Sequence, residues 1–152
     1  MMFDHYAADS KTWIFVCSKE LDLSQNEELK TELDAFVAQW QAHGKPLEAA
    51  FELRGRLLVV CVNAASEPAS GCSIDKLYLL LHKYSRKHQV DFMDRKWLLA
   101  ENGTCLHAHR DVEHLAQLKG QKIVDLSVNQ SKSWINQGYI PVEDSWVGNK
   151  LK

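Results

Sequence analysis

The segment SGCSID, residues 70–75, sets a cysteine between two serines where a glycine turn runs into an amphipathic helix. Backbone N–H groups at a helix start create a local positive potential, which lowers a thiol's pKa and attracts anions. Two chemistries follow. Cys72 can act as a nucleophile, with His43 as the candidate base. Alternatively, Ser70, Gly71, Ser73 and Asp75 can hold an anion or phosphate ester, with Gly71 permitting the tight turn. The competing reading is structural: Cys72 or Ser73 ends the loop as a cap, and Asp75 bonds back to the first turn.

Three other segments carry chemistry-bearing side chains. In CLHAH, residues 105–109, a strand would place Cys105, His107 and His109 on one side, with His114 as a fourth donor for zinc. No second cluster accompanies them, so loop histidines explain the segment and no metal or other cofactor is expected. In DFMDR, residues 91–95, Asp91 and Asp94 fall on opposite faces of a strand and are poorly placed as an acid/base pair. Asp94 and Arg95 suit a solvated sheet edge. The tail SWINQGYIPVEDSW, residues 133–146, is either an exposed aromatic binding surface or a buried cover.

The elements that position these residues follow from periodicity. TWIFVC, residues 12–17, is a short apolar run that predicts a buried strand. Ser24 with Glu27 predicts a capping-box helix start, and Leu29, Leu33, Phe36, Val37 and Trp40 line one face until Gly44 and Pro46 stop it. LEAAFELRG alternates, and after Gly55 the apolar RLLVVCVNA returns, which predicts a hairpin. Ile74, Leu77, Tyr78, Leu81 and Tyr84 mark a second helix, and residues 90–102, VDFMDRKWLLAEN, a fourth strand.

The order β-α-β-β-α-β predicts an α+β fold with a ferredoxin-like core sheet, strands 1 and 3 central. Central strands apolar on both faces need a cover. The C-terminal extension, residues 103–152, is the expected one. It offers a short helix at 111–119 with Val112, Leu115 and Leu118 inward, the strand-like run IVDLSV, and Trp134, Tyr139, Ile140 and Trp146 in the tail. A homodimer partner is the alternative cover. The chain is expected to be a single domain, with its core in residues 10–102.

Composition narrows the function classes. With 152 residues, 45% hydrophobic and 25% charged, the chain is long enough for a real core, and a net charge of -2 argues against nucleic acid as a partner. The basic group Lys83, Arg86, Lys87 and His88 is one solvated helical turn. No stretch approaches the roughly 18 apolar residues of a membrane span. WIFVC is too short for a signal-peptide core. The four cysteines contain no C-x-x-C pair, and reduced buried thiols are expected at Cys17 and Cys61. A cytoplasmic location follows.

FVAQWQAHGKPL (36–47), ASGCSID (69–75), VDFMDR (90–95) and IPVEDSW (140–146) together resemble, in the same order, a family of small uncharacterised bacterial proteins common in the Bacteroidetes and often labelled ABC transporter ATPases. The CLHAHR segment does not match that pattern. The resemblance implies no activity, substrate or catalytic residue. Nor does the label fit these residues: no glycine pair has the P-loop spacing, and Gly44-Lys45 is followed by Pro46. The sequence therefore predicts a binding or interaction domain for a protein partner or small ligand. The rival readings are a thiol-dependent enzyme at Cys72 and an anion binder at Ser70 and Ser73.

Overall fold

The computed structural model describes residues 3–151. It is a mixed α+β structure in which helices pack on one face of a three-stranded antiparallel sheet and smaller antiparallel strand pairs cover the other. β1 (Lys11–Val16), β4 (Ala49–Arg54) and β5 (Leu57–Val62) form that sheet in the order β1-β5-β4. β5, the LLVVCV run, is buried at every residue, as a strand with neighbours on both edges and layers on both faces must be. β1 lies at an edge, although the sequence predicts it as central.

α1 (Leu23–Gln39) starts two residues earlier than Ser24 predicts. Asp22 is its N-cap, accepting from Gln25 N–H at 2.8 Å, while the Gln25 side chain accepts from Asp22 N–H at 3.0 Å. An aspartate caps as well as a serine, and with it Leu23 becomes the first helical residue. The helix ends at Trp40, before Gly44 and Pro46, because the chain turns into a short hairpin, β2 (Gln41–Ala42) and β3 (Lys45–Pro46). His43 and Gly44 form its turn, both with positive φ (54° and 75°). α2 (Gly71–His88) buries Leu77, Leu81 and Tyr84. Two hydrogen bonds of 2.8 Å tie the helices together, from Trp40 Nε1–H to the Ser73 carbonyl and from Tyr84 O–H to the Gln25 carbonyl.

Residues 90–102 depart most from expectation. Only Trp97–Leu99 is a strand, β6, and it pairs with β7 (Cys105–His107) rather than with β1. Two aspartates explain the break. Asp91 Oδ1 accepts from Met93 N–H at 2.8 Å, and Asp94 Oδ1 from Lys96 N–H at 2.9 Å. Such local turns capture the backbone donors that a ladder would need. The approach to β1 survives at one point, where Ser18 N–H donates to the Asp91 carbonyl (2.8 Å).

The predicted cover is observed in part. Leu99, Val124 and Trp134 pack on Ile14, Val16, Leu57, Val59 and Cys61, the sheet face opposite the helices, with Tyr139 half-buried beside them. Trp134 comes from α3 (Ser131–Gln137), a helix that the sequence reading did not predict. β8 (Lys122–Val124) pairs with β9 (Tyr139–Pro141), and this pair meets β6 through a bridge between Ala100 and Ile123. Residues Val112–Leu118 form a 3-10 helix with Leu115 and Leu118 inward, but Val112 is exposed. Ile140 packs in a third cluster with Leu98 and Ile123, and Trp146, 56% exposed, covers nothing in the core. Among the described residues no helix is long and apolar enough to cross a membrane.

Candidate functional site

The cysteine segment is a helix cap in its geometry. Ser70 is the N-cap of α2: its Oγ accepts from Ser73 N–H at 3.2 Å, and Ser73 Oγ accepts from Ser70 N–H at 2.7 Å. The serines that were candidates for an anion site are thus bonded to each other. Gly71 has an ordinary φ and open space where a Cβ would stand, so the turn does not require glycine there. Asp75 is exposed and makes no bond back to the first turn. Cys72 is exposed, and among the described residues no side chain is hydrogen-bonded to its thiol. His43 sits in the β2–β3 turn, with no hydrogen bond to Cys72.

The CLHAH side chains do not gather as ligands. Among the described residues no three His, Cys, Asp or Glu groups converge to hold a metal ion. Burial pushes the Cys105 thiol above its ordinary value, and nearby Arg56 offsets this only partly. His107 is buried and fully engaged. Its Nδ1 accepts from the N–H groups of His109 and Arg110, each at 3.1 Å, and its Nε2 meets Asp94 Oδ2 at 2.9 Å. A ring nitrogen that accepts two N–H bonds carries no proton, so the proton sits on Nε2 and points at Asp94. Asp94 is therefore a partner of His107 rather than a solvated edge residue. Burial raises its carboxyl, but the Lys96 N–H and His107 outweigh burial and hold it below its ordinary value.

This pair supports Trp97. The Trp97 ring meets His107 edge-on with centroids 4.9 Å apart, and the guanidinium carbons of Arg56 and Arg110 each lie 5.9 Å from its centroid. Its Nε1–H is buried and has no hydrogen-bond partner among the described residues. Trp97 also lines a cavity of ≈ 470 Å³, whose wall includes Leu98, Ile123 and Ile140, with Trp146, Asp125, Asp144 and Arg95 around them. Arg95 donates to the Leu126 carbonyl, and Asp125 Oδ1 accepts from the Ser127 hydroxyl at 2.6 Å. Asp144 has no hydrogen bond or ion pair among the described residues.

No protein-family model, curated protein or solved structure matches this chain. The site therefore rests on its own chemistry. Apolar walls, two indoles and a few polar groups in a cavity of this size suit retention of a ligand. They do not provide a nucleophile with a base in reach, and the one buried imidazole has both nitrogens committed. The sequence singled out the tail but missed Trp97 and the Asp94–His107 pair. Their only signal was an aromatic residue three positions after an aspartate, and a histidine that reads as one of several in a loop.

Proposed function

We propose that the protein is a binding domain whose ligand seats a flat apolar group in the cavity between Trp97 and Trp146. The observation that carries this reading is the pair of indoles, Trp97 and Trp146, in one cavity lining with the apolar Leu98, Ile123 and Ile140 and the carboxylate of Asp144. The half-exposed Trp146, with the Lys150 ammonium 5.9 Å from its ring centroid, and Asp144, without a hydrogen bond or ion pair among the described residues, add a stacking face and a negative charge. An aromatic group carrying a cation fits that combination.

The test is calorimetric titration with phenethylamine, with phenylacetate as the charge-reversed control, on the wild type and on Trp146→Ala. Trp146 is exposed, so its truncation leaves the core intact. Binding of the amine that weakens in the variant supports the reading; equal affinity in both proteins contradicts it.

The thiol-enzyme alternative has the exposure of Cys72 in its favour, but among the described residues no base is hydrogen-bonded to that thiol. A cytoplasmic setting is proposed too, supported by four free thiols. A ferredoxin-like ancestry is a further part of the proposal. The antiparallel order β1-β5-β4 corresponds to strands 1, 3 and 2 of that fold, and Asp91 bonds to Ser18, two residues past β1, on the side where a fourth strand would lie.

A further inference from the structure

α1 and α2 run antiparallel and leave a groove between their outer faces. Trp40, at the end of α1, bonds to the Ser73 carbonyl in the first turn of α2, and Tyr84 reaches back to Gln25. Lys87 and His88 meet the Glu28 carboxylate across the two helices. One turn further along each helix, Glu32 comes level with Lys83. The next turn sets Phe36 beside Leu79 and Leu80, and the one after sets Gln39 beside Lys76. Both helices therefore present an i, i+3, i+4, i+7 stripe to the same space, a groove of ≈ 520 Å³ along about 10 Å of each axis.

The floor of the groove is apolar and its ends are charged. Phe36 and Leu80 are half-buried against the core that the helices share with the sheet, and Leu79, 52% exposed, extends this surface outward. A lone exposed leucine is ordinary. Here it joins Ala35 and Phe36 across the groove, and a continuous exposed apolar face of this kind marks a docking surface. Of the charged groups in the lining, two are cations and one an anion. Lys76 and Lys83 stand at the two ends of the α2 side, and neither has a hydrogen bond or ion pair among the described residues. Lys87, one turn beyond, is already held by Glu28. Glu32 and Gln39 line the α1 side, so the cationic edge is that of α2. A second copy of the chain fits poorly. Laying α2 on its two-fold mate about Leu79 and Leu80 would set Lys76 of each copy against Lys83 of the other, and such like-charge contacts oppose docking.

We propose that this groove takes an amphipathic helix of a partner protein, with acidic residues seven positions apart along one edge of its apolar stripe. Those acids meet Lys76 and Lys83, while its leucine-like side chains pack on Phe36, Leu79 and Leu80. Apolar burial supplies affinity, and the charges select the partner and its register. The groove lies on the helix-covered face of the sheet, away from the Trp97 ring, and the proposal does not depend on the reading of the cavity.

Fluorescence anisotropy on the full chain tests this with a labelled peptide, two copies of Glu-Ala-Gln-Leu-Leu-Ala-Gln closed by a further glutamate, acetylated and amidated. A counterpart carries lysine at every glutamate position. The acidic peptide should bind saturably, and the basic one at least about ten-fold more weakly, because two charge pairs turn from attraction to repulsion. Leu79→Gln keeps a helix-forming residue at an exposed position and should weaken the acidic peptide about ten-fold. Lys76→Glu combined with Lys83→Glu should reverse the order of the two peptides. No saturable binding of the acidic peptide, equal affinity for both peptides, or indifference to Leu79→Gln overturns the proposal. So does sedimentation of the protein alone as a dimer that Leu79→Gln separates, which would give the groove to a second copy.

Discussion

His107 Nε2 lies 2.9 Å from Asp94 Oδ2, while Nδ1 of the same ring receives the backbone N–H groups of His109 and Arg110. This one side chain joins the residues before β6 to the turn after β7 and backs the Trp97 ring. The ring should appear in ¹⁵N spectra with its proton on Nε2 and Nδ1 bare. His107→Phe would leave the N–H groups of His109 and Arg110 without their acceptor and Asp94 Oδ2 without its donor, and should cost about 2–4 kcal/mol in urea unfolding. A variant of wild-type stability would show that the pair holds nothing.

The same contact predicts a pH dependence. The Asp94 carboxyl lies below its ordinary value of 3.8 in the folded protein. A depressed folded value gives stability that is fully present above the unfolded value and is lost as pH falls through the folded one. The stability difference between wild type and Asp94→Asn should therefore be constant above about pH 5 and shrink below about pH 4. Unfolding midpoints of both proteins across that range check it. A difference that grows on acidification would give the pair the opposite sign.

Cys72 should be the most readily alkylated of the four thiols. It is exposed, whereas burial pushes Cys17, Cys61 and Cys105 upward. Cys72→Ala should change stability by no more than about 0.5 kcal/mol, as a surface change. Ser70→Ala removes the cap and should cost about 1 kcal/mol. Alkylation followed by mass spectrometry, with thermal unfolding of the two variants, reads both. A large loss from Cys72→Ala with none from Ser70→Ala would reverse the assignment.

Gly148 governs the tail that carries Trp146. A Cβ at this position would stand 2.1 Å from the Glu143 carbonyl oxygen, a backbone atom with little freedom to move. Gly148→Ala should lower stability by about 1–3 kcal/mol through overpacking and displace the residues that wall the cavity. Thermal unfolding together with weakened phenethylamine binding would register both effects.

The long periodic elements were legible in the sequence. Leu29 and Leu33 on α1 and Trp40 at its end, Leu77, Leu81 and Tyr84 on α2, and the unbroken apolar run of β5 are all buried as their spacing predicts. So is the need for a cover over the second sheet face, which Trp134 and Val124 help to meet. The fourth strand was misread because VDFMDRKWLLAEN has strand-like composition, while the competing turns at Asp91 and Asp94 depend on side-chain oxygens that periodicity ignores. The cavity was hidden for a different reason. Trp97, Asp125 and Trp146 come from separate segments whose meeting depends on tertiary packing. The SGCSID segment drew attention for its thiol, yet its serines were the better clue, because Ser70 and Ser73 form a reciprocal cap.

The most direct test of the account follows the five tryptophan indole N–H signals in a ¹H–¹⁵N spectrum during titration with phenethylamine, with Trp97 assigned from the signal lost in Trp97→Phe. The account predicts a saturable shift of the Trp97 signal as an aromatic ring seats in the cavity its indole lines, with Trp146 also affected and Trp13 and Trp40, on the helix-covered face of the sheet, unmoved. A Trp97 signal that stays fixed while the amine is taken to saturation, or equal drift of all five signals, would contradict it.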